Sequence, residues 1–422
     1  MFLLYDLLFL IYAILYLPYL LITNRGYAGY AIRFGFFPPS IQKRVKGMAN
    51  IWVHAVSVGE VMVAEGFIEQ LRKKFPSYQL VLTVTTKTGY ALALKRLQHS
   101  AVVIPSPLDF SFVAGRFSDL INPKIYIAAE TEIWPNLYVQ LYRKRIPIAV
   151  INGRISDKSF DCYKIIGFIL KGVLSRVSVW CMQTPQDAGR ILALGAEASR
   201  VFVTGNLKFD GLTRFSQGSS GQLTSAHGEL WWVAGSTHPG EEDIVLDVYA
   251  KIIKENSNWR LVIAPRHIER ADKIIELATH RGFKALKFSH ILNHGEKRDL
   301  DKAVIVVDTI GHLRSLYAKA SLVFVGKTLR VGGGQNIIEP SFYGKAIIIG
   351  PRSENFRDIV SCFKERNALV QVKDDQAFET AVRDLCADPA KREAQGARAR
   401  EVVCANQGAT LRSIARLEDY LK

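Results

Sequence analysis

IWVHAVSVGEVMVAEGFIEQLRKK, residues 51–74, changes character partway along. Ile51 to His54 is a short apolar run of strand length, whereas Val61, Val63, Phe67, Ile68 and Leu71 recur at the spacing that turns one side of a helix to a core. Ser57-Val-Gly59-Glu60 joins the two: glycine lets the chain turn sharply, and Glu60 falls in the first turn of a helix running to Lys74. The helix dipole favours a carboxylate there by about 0.3–1 kcal/mol, so the plainest role for Glu60 is to stabilise that end. A strand apolar on both sides and followed at once by a helix belongs in a parallel sheet covered on both faces.

The same alternation runs through the chain. In the first half the further strand candidates are Leu80–Val84, Val102–Ile104, Ile125–Ala128 and Ile148–Ile151. A stretch rich in Gly, Ser and Thr from Gly211 to His227 has no apolar periodicity and reads as a linker. Beyond it come Trp231–Ala234, Leu261–Ala264, Val304–Val307, Leu322–Val325, Ala346–Ile349 and Leu369–Val372. A chain of 422 residues suits two domains. The expected organisation is a membrane anchor over 1–24, a Rossmann-like domain over 25–210, a linker over 211–228 and a second Rossmann-like domain over 229–422. The fold class is α/β, with the two domains facing a cleft and a last helix packing back on the first domain.

Open parallel sheets bind ligands beyond the carboxyl ends of their strands. In the first half those positions hold His54 to Glu60, Thr85 to Gly89, Asp109, Glu130-Thr-Glu132 and Asn152-Gly-Arg154. In the second they hold Gly235-Ser-Thr-His238, Pro265-Arg-His267, Asp308-Thr309, Gly326-Lys327 and Gly350-Pro351. Turns alone do not call for so many ionisable groups, and the excess points to ligands.

Three groups carry the chemistry. Glu60, at the end of the first strand, is placed as a general base. Glu130 and Glu132 read either as chelators of a divalent ion or as acceptors for sugar hydroxyls; with no third acidic ligand nearby, the metal-free reading is favoured. Gly332-Gly333-Gly334-Gln335-Asn336 precedes a helical segment that carries Glu339. Glycines there would let backbone amides approach a phosphate, with Glu339 one turn on for ribose hydroxyls. Lys208 and Arg266 are the cations best placed for a phosphate or carboxylate.

Phe2 to Ile22 is apolar apart from Asp6 and tyrosine hydroxyls, about the length that spans a bilayer. No acidic residue lies between Leu7 and Gly59, while Arg25, Arg33, Lys43, Arg44 and Lys46 follow the apolar run. The positive-inside rule then places the bulk of the protein on the cytoplasmic side of an inner membrane. The formal net charge of +16 suits an acidic membrane surface, an anionic substrate or a nucleic acid. Its basic residues are dispersed and match no nucleic-acid motif, so no nucleic-acid partner is expected. The five cysteines have neither C-x-x-C pairs nor close spacings, which reads as reduced thiols without a structural metal.

Taken in order, several motifs resemble the Kdo transferase family, which moves 3-deoxy-D-manno-oct-2-ulosonic acid (Kdo) onto lipid A precursors. They are His54-Ala-Val-Ser-Val-Gly-Glu60, Glu130-Thr-Glu-Ile-Trp-Pro-Asn136, Asn152-Gly-Arg154, Thr204-Gly-Asn-Leu-Lys208-Phe-Asp210, Gly235-Ser-Thr-His238, Ala264-Pro-Arg-His267, Asp308-Thr-Ile-Gly311 and Gly333-Gly-Gln-Asn336 through Glu339-Pro340. The resemblance implies a GT-B fold, CMP-Kdo as donor, inversion at the anomeric carbon, no cofactor and no metal. It matches Glu60 to the catalytic base and Ser57, Glu130, Glu132 and Arg154 to the acceptor side. Lys208, Ser236, Thr237, Pro265, Arg266, His267, Gly333, Gly334, Asn336 and Glu339 fall on the donor side. Lys327, His312, Gln335, Arg352 and Ile268 depart from the family's usual residues and bear on acceptor choice and the number of Kdo units added. The rivals are a GT-B transferase using a UDP-sugar, a sugar-nucleotide epimerase and a membrane-tethered nucleic-acid binder.

Overall fold

The computed structural model describes residues 5–7, 9–11, 14, 29–215, 229–294 and 303–422. The chain divides into two compact units, one combining 1–211 with 407–422 and the other spanning 212–406.

The first unit is built on seven parallel strands: β1 (Asn50–Ala55), β2 (Gln79–Val84), β3 (Val102–Pro105), β4 (Pro123–Ala129), β5 (Ile148–Gly153), β6 (Val179–Met182) and β7 (Val201–Val203). Their order is β3-β2-β1-β4-β5-β6-β7. Successive side chains on a strand point to opposite faces. Accordingly Trp52, Tyr126 and Val150 enter one core, and Ile51, Val53 and Ile127 enter the other. Both faces are covered by helices, which is why these strands read as unbroken apolar runs rather than as alternations. The helix Ala409–Ala415 belongs to the second of these cores through Ala409 and Ile414. Asp210 fixes its start, accepting from the Gly408 N–H at 2.7 Å and the Thr410 N–H at 2.5 Å.

The second unit holds β8 (Leu230–Thr237), β9 (Trp259–Pro265), β10 (Ala285–Lys287), β11 (Val304–Val306), β12 (Leu322–Val325), β13 (Ala346–Ile349) and β14 (Val370–Gln371), in the order β10-β11-β9-β8-β12-β13-β14. β6, β7 and β10 are absent from the sequence expectations. Each has only three or four residues, and β7 and β10 are partly buried edge strands. In each sheet the first strand is where the order reverses, so the loops after β1 and β4, and after β8 and β12, flank the topological switch points.

Most of the expected anchor, 1–24, lies outside the described residues, as do 216–228 of the expected linker. Among the described residues no helix is long and apolar enough to cross a membrane. What is described of this segment is tied to the first unit. Asp6 accepts from the Ser111 N–H at 3.1 Å, the Ser111 hydroxyl at 2.5 Å and the Asn136 amide at 2.6 Å. Phe9 stands edge-on to Phe110 at 4.9 Å. A carboxylate satisfied by protein donors holds this turn against the body, and the expectation of a spanning helix gains no support here. The linker expected from Gly211 instead begins inside a 3-10 turn, Leu207–Phe215.

Candidate active site

In the first unit the site forms where β1 and β4 end side by side, with His54 opposite Ala128. Ser57 caps the helix Val58–Lys74, its Oγ accepting from the Glu60 N–H. The Glu60 carboxylate turns back on the same loop. Its Oε2 accepts from the Val56 N–H at 2.7 Å and its Oε1 from the Ser57 hydroxyl at 2.9 Å. This is a variant of the capping box, so the bland structural role read from the sequence is real. The rest of the environment adds a second role. Glu60 is buried, and that burial, with Glu130 nearby, pushes its carboxyl up to about 7 despite the hydrogen bonds from Val56 and Ser57. Glu132 is pushed up to about 7 as well, by burial and then by Glu60 and Glu130. Whichever of the two ionises second does so against the other's charge.

Glu130 takes the left-handed backbone conformation, φ +67°. Its carboxylate lies 3.6 Å from the Lys208 ammonium and 3.5 Å from the Asn152 amide. Lys208, read from the sequence as a donor-side cation, thus belongs to the first unit and stands beside Glu130. Asn152 is fully buried, also at positive φ (+55°), and its Oδ1 accepts from the Leu207 N–H at 3.0 Å. That bond ties the end of β5 to the segment that delivers Lys208. Arg154 is placed by its backbone, whose N–H donates to Thr131 Oγ1 at 2.8 Å.

Asp109 and Asn136 complete the floor, and neither has a role of its own in the sequence reading. Asp109 is buried and accepts from the Asn136 and Leu137 N–H groups at 3.2 and 2.9 Å, the opening of the helix Pro135–Arg143. Burial pushes its carboxyl up to about 7. Strand-end position flagged Asp109, but its partners lie 27 and 28 residues on, so only the fold shows what it holds. Below them, His54 donates to or accepts from Thr83 Oγ1 at 2.9 Å, and burial lowers its imidazole to about 3, keeping it neutral. Among the described residues there is no group of three or more His, Cys, Asp or Glu side chains arranged to hold a metal ion.

In the second unit β8 ends in Ser236 (φ +56°) and buried Thr237, and His238 follows. The Arg266 N–H donates to the Thr237 carbonyl at 3.0 Å, joining this segment to Pro265 at the end of β9. Arg266 and His267 are exposed, and His267 stands edge-on to His238 at 5.8 Å. Thr237 Oγ1, His238 Nε2 and Thr309 Oγ1 are buried polar atoms with no hydrogen-bond partner among the described residues. Such atoms are costly unless a ligand or water satisfies them.

The glycine loop differs from its expected use. The Gly333 N–H donates to Glu354 Oε2 at 2.7 Å and the Gly334 N–H to the Lys327 carbonyl at 3.0 Å. The helix itself begins only at Ile338 and runs five residues. These amides are therefore committed inside the protein, and the positive φ values of Gly333 (+111°) and Gly334 (+74°) serve the loop's shape. Asn336 Oδ1 accepts from the Ile338 N–H at 3.0 Å, and its side chain also bonds Glu339. Burial raises the Glu339 carboxyl, opposed by Arg314. Asn336, Glu339 and Arg314 form one polar group, and Arg314 has no counterpart in the sequence reading.

Residues 28–211 match the family described as 3-deoxy-D-manno-octulosonic-acid transferase (kdotransferase), and residues 242–402 match glycosyl transferases group 1. A 3-deoxy-D-manno-octulosonic acid transferase of Haemophilus influenzae is 31% identical over 399 residues, covering 93% of this chain and 91% of that protein. A bifunctional glycosyltransferase/methyltransferase of Fusobacterium nucleatum is 35% identical over 350 residues; the match covers 81% of this chain but only 53% of that relative. In fold, the chain is similar to UDP-GlcNAc 2-epimerase from Neisseria meningitidis (TM-score 0.61, 12% identity, covering 88% of this chain and all of that one). It is likewise similar to Acinetobacter baumannii MurG (TM-score 0.57, 12% identity, covering 88% and 99%). Two parallel-sheet Rossmann-like units with these neighbours make the fold GT-B, and the chain belongs to the 3-deoxy-D-manno-octulosonic acid transferase family of glycosyltransferases.

Proposed function

We propose that the chain transfers Kdo from CMP-Kdo to a lipid A precursor, adding one or more Kdo units, at the cytoplasmic face of a bacterial inner membrane. The observation that carries the reading is the environment of Glu60: a buried carboxyl at the end of β1, brought to about 7 beside Glu130 and Glu132. A general base works best when its pKa lies near the working pH. In the reaction, an acceptor hydroxyl oxygen attacks the anomeric carbon of Kdo and the bond to the CMP phosphate breaks. Glu60 takes the hydroxyl proton, and CMP leaves with the bonding pair. Ser57, Glu130, Glu132, Arg154 and Lys208 surround the acceptor. Ser236, Thr237, Pro265, Arg266, His267, Asn336 and Glu339 serve the donor, with the unsatisfied Thr237 and His238 atoms as ready hydrogen-bonding groups. The reaction as written uses no metal. The net charge of +16 and the basic cluster Arg25, Arg33, Lys43, Arg44 and Lys46 support attachment to anionic lipid.

The test is to incubate purified protein with CMP-Kdo and tetraacyl lipid A precursor and to weigh the product, with CMP and UDP compared as competitors. Mass gain in whole Kdo units and protection by CMP support the reading. Stronger protection by UDP, with no Kdo transferred, overturns it in favour of a UDP-sugar transferase. For the membrane, deletion of residues 1–24 weakens sedimentation with vesicles containing anionic lipid, and full retention after deletion counts against an N-terminal attachment.

A further inference from the structure

Among the buried charged side chains of the second unit, Glu241 stands apart. It is fully buried, on the first turn of the helix Glu241–Glu255, and among the described residues it forms no salt bridge. Its partners are four backbone N–H groups. Oε2 accepts from His238 at 2.9 Å and Lys327 at 2.8 Å; Oε1 accepts from Thr328 and Leu329, both at 2.9 Å. The first donor follows β8 and the other three follow β12, the two strands that flank the switch point of this sheet. One carboxylate therefore staples both loops.

The loops need such a staple. Ser236 and Lys327 both hold positive φ, +56° and +62°, without being glycine, conformations that persist only where their surroundings impose them. At Gly326 the backbones come so close that a Cβ would stand 2.7 Å from the Ser236 carbonyl oxygen and 2.8 Å from Glu241 Oε2. The β12 loop in turn holds the glycine segment, since the Lys327 carbonyl accepts from the Gly334 N–H, and the end of β13, since Thr328 Oγ1 accepts from the Gly350 N–H. A nest of backbone N–H groups at a switch point is commonly where a nucleotide's phosphate binds. Here the protein's own carboxylate fills it.

We propose that Glu241 is a positioning residue for the donor: it occupies the amide nest at the second switch point and so fixes Ser236–His238 and Lys327–Leu329 before the donor arrives. The donor's anionic groups then meet side chains of the pre-set loops rather than these amides. The inference rests on the reading that the second unit binds CMP-Kdo.

Two experiments on the full-length protein test it. In hydrogen–deuterium exchange of the unliganded wild-type protein, amides 327–329 exchange roughly 100-fold or more slowly than an open loop, and saturating CMP leaves them nearly unchanged. Fast exchange without ligand, or strong new protection of these amides by CMP, overturns the proposal, because the nest would then be open for phosphate. In the second, Glu241→Gln keeps one acceptor oxygen but turns an NH2 group towards two N–H donors. The KM for CMP-Kdo rises about 30-fold while kcat falls no more than about threefold and the KM for the lipid acceptor is unchanged. The comparison is Glu229→Gln, which breaks the pair with Arg260 at the amino end of β8, far along the strand from these loops. It lowers Tm without changing the donor KM. Equal effects of the two variants on donor KM refute positioning. Should Glu241→Gln fail to fold, the exchange measurement alone decides. Slow amides in a protein that binds UDP but not CMP would sink the CMP-Kdo reading and leave the staple intact.

Discussion

Replacing Glu60 by Gln separates its two roles, because the amide keeps the shape and loses the charge. The carboxyl rises from 4.5 to about 7 on folding, chiefly through burial, and that corresponds to about 3 kcal/mol between the two protonation states. The folded-state pKa lies above the unfolded value, so the associated stability is fully present below about 4.5 and lost as pH rises through about 7. Above pH 7 the wild-type protein keeps a charge in a place that resists it; Gln does not. Against this, Gln has one acceptor oxygen where the carboxylate had two, for Val56 N–H and the Ser57 hydroxyl, a loss of about 1 kcal/mol. The variant should be slightly less stable than wild type near pH 4.5 and more stable by roughly 1–2 kcal/mol at pH 8. The assay is chemical denaturation at both pH values, following the first unit. Turnover moves the other way: without the base, kcat falls by about 100- to 10,000-fold, while CMP binding is retained. Normal turnover would remove Glu60 from the chemistry. Stability curves that run parallel for variant and wild type across this pH range would refute the electrostatic argument itself.

The other expectations can be stated briefly. In the wild-type protein kcat/KM rises with pH through about 7 as Glu60 ionises; Glu132→Gln removes a repelling charge, so the rise moves to lower pH, and an unmoved limb would show that the two carboxyls do not communicate. Gly153→Ala puts a Cβ 2.6 Å from Met182 Sδ in a buried strand end, which costs roughly 1–3 kcal/mol, read as a lower Tm for the first unit. EDTA leaves the rate within about twofold, because the proposed step asks of Glu60 only that it take a proton; loss of activity restored by a divalent cation would contradict this.

How much of this could be read from sequence depended on the range of the interaction. The buried strands announce themselves, because a strand packed on both faces must be apolar throughout; β7 and β10 do not, since each is a three-residue edge strand only partly buried, and the four-residue β6 is absent from the sequence expectations although it is fully buried. The helix-end role of Glu60 was legible because its partners Val56 and Ser57 lie within four residues. The hold of Asp109 on Asn136 and Leu137, and of Glu241 on residues 327–329, spans 27 to 88 positions, and nothing local encodes it. The glycine segment misled for a related reason. Glycines ahead of a helical segment suggest free amides, but acceptors at Glu354 and Lys327 claim them.

The two glutamates show how one local device yields two kinds of chemistry. Ser57-Val-Gly-Glu60 follows β1 and His238-Pro-Gly-Glu241 follows β8, each putting a glutamate in the first turn of the helix after the first strand of its sheet. Each carboxylate turns back to accept from a backbone N–H of its own loop, at 2.7 Å for Glu60 and 2.9 Å for Glu241. What differs is the neighbouring strand. Beyond β12 the chain offers Glu241 three more N–H donors, so its charge is held by four dipoles and has no lone pair facing a substrate. Beyond β4 the chain offers Glu60 carboxylates instead: burial chiefly, and the charge of Glu130 after it, hold its proton affinity near neutrality, while Glu60 in turn raises Glu132. A carboxylate saturated with N–H donors can only hold structure. One that is buried with fewer donors and a repelling carboxylate nearby keeps a proton affinity near neutrality, and that contrast is the reason Glu60 rather than Glu241 is proposed as the base.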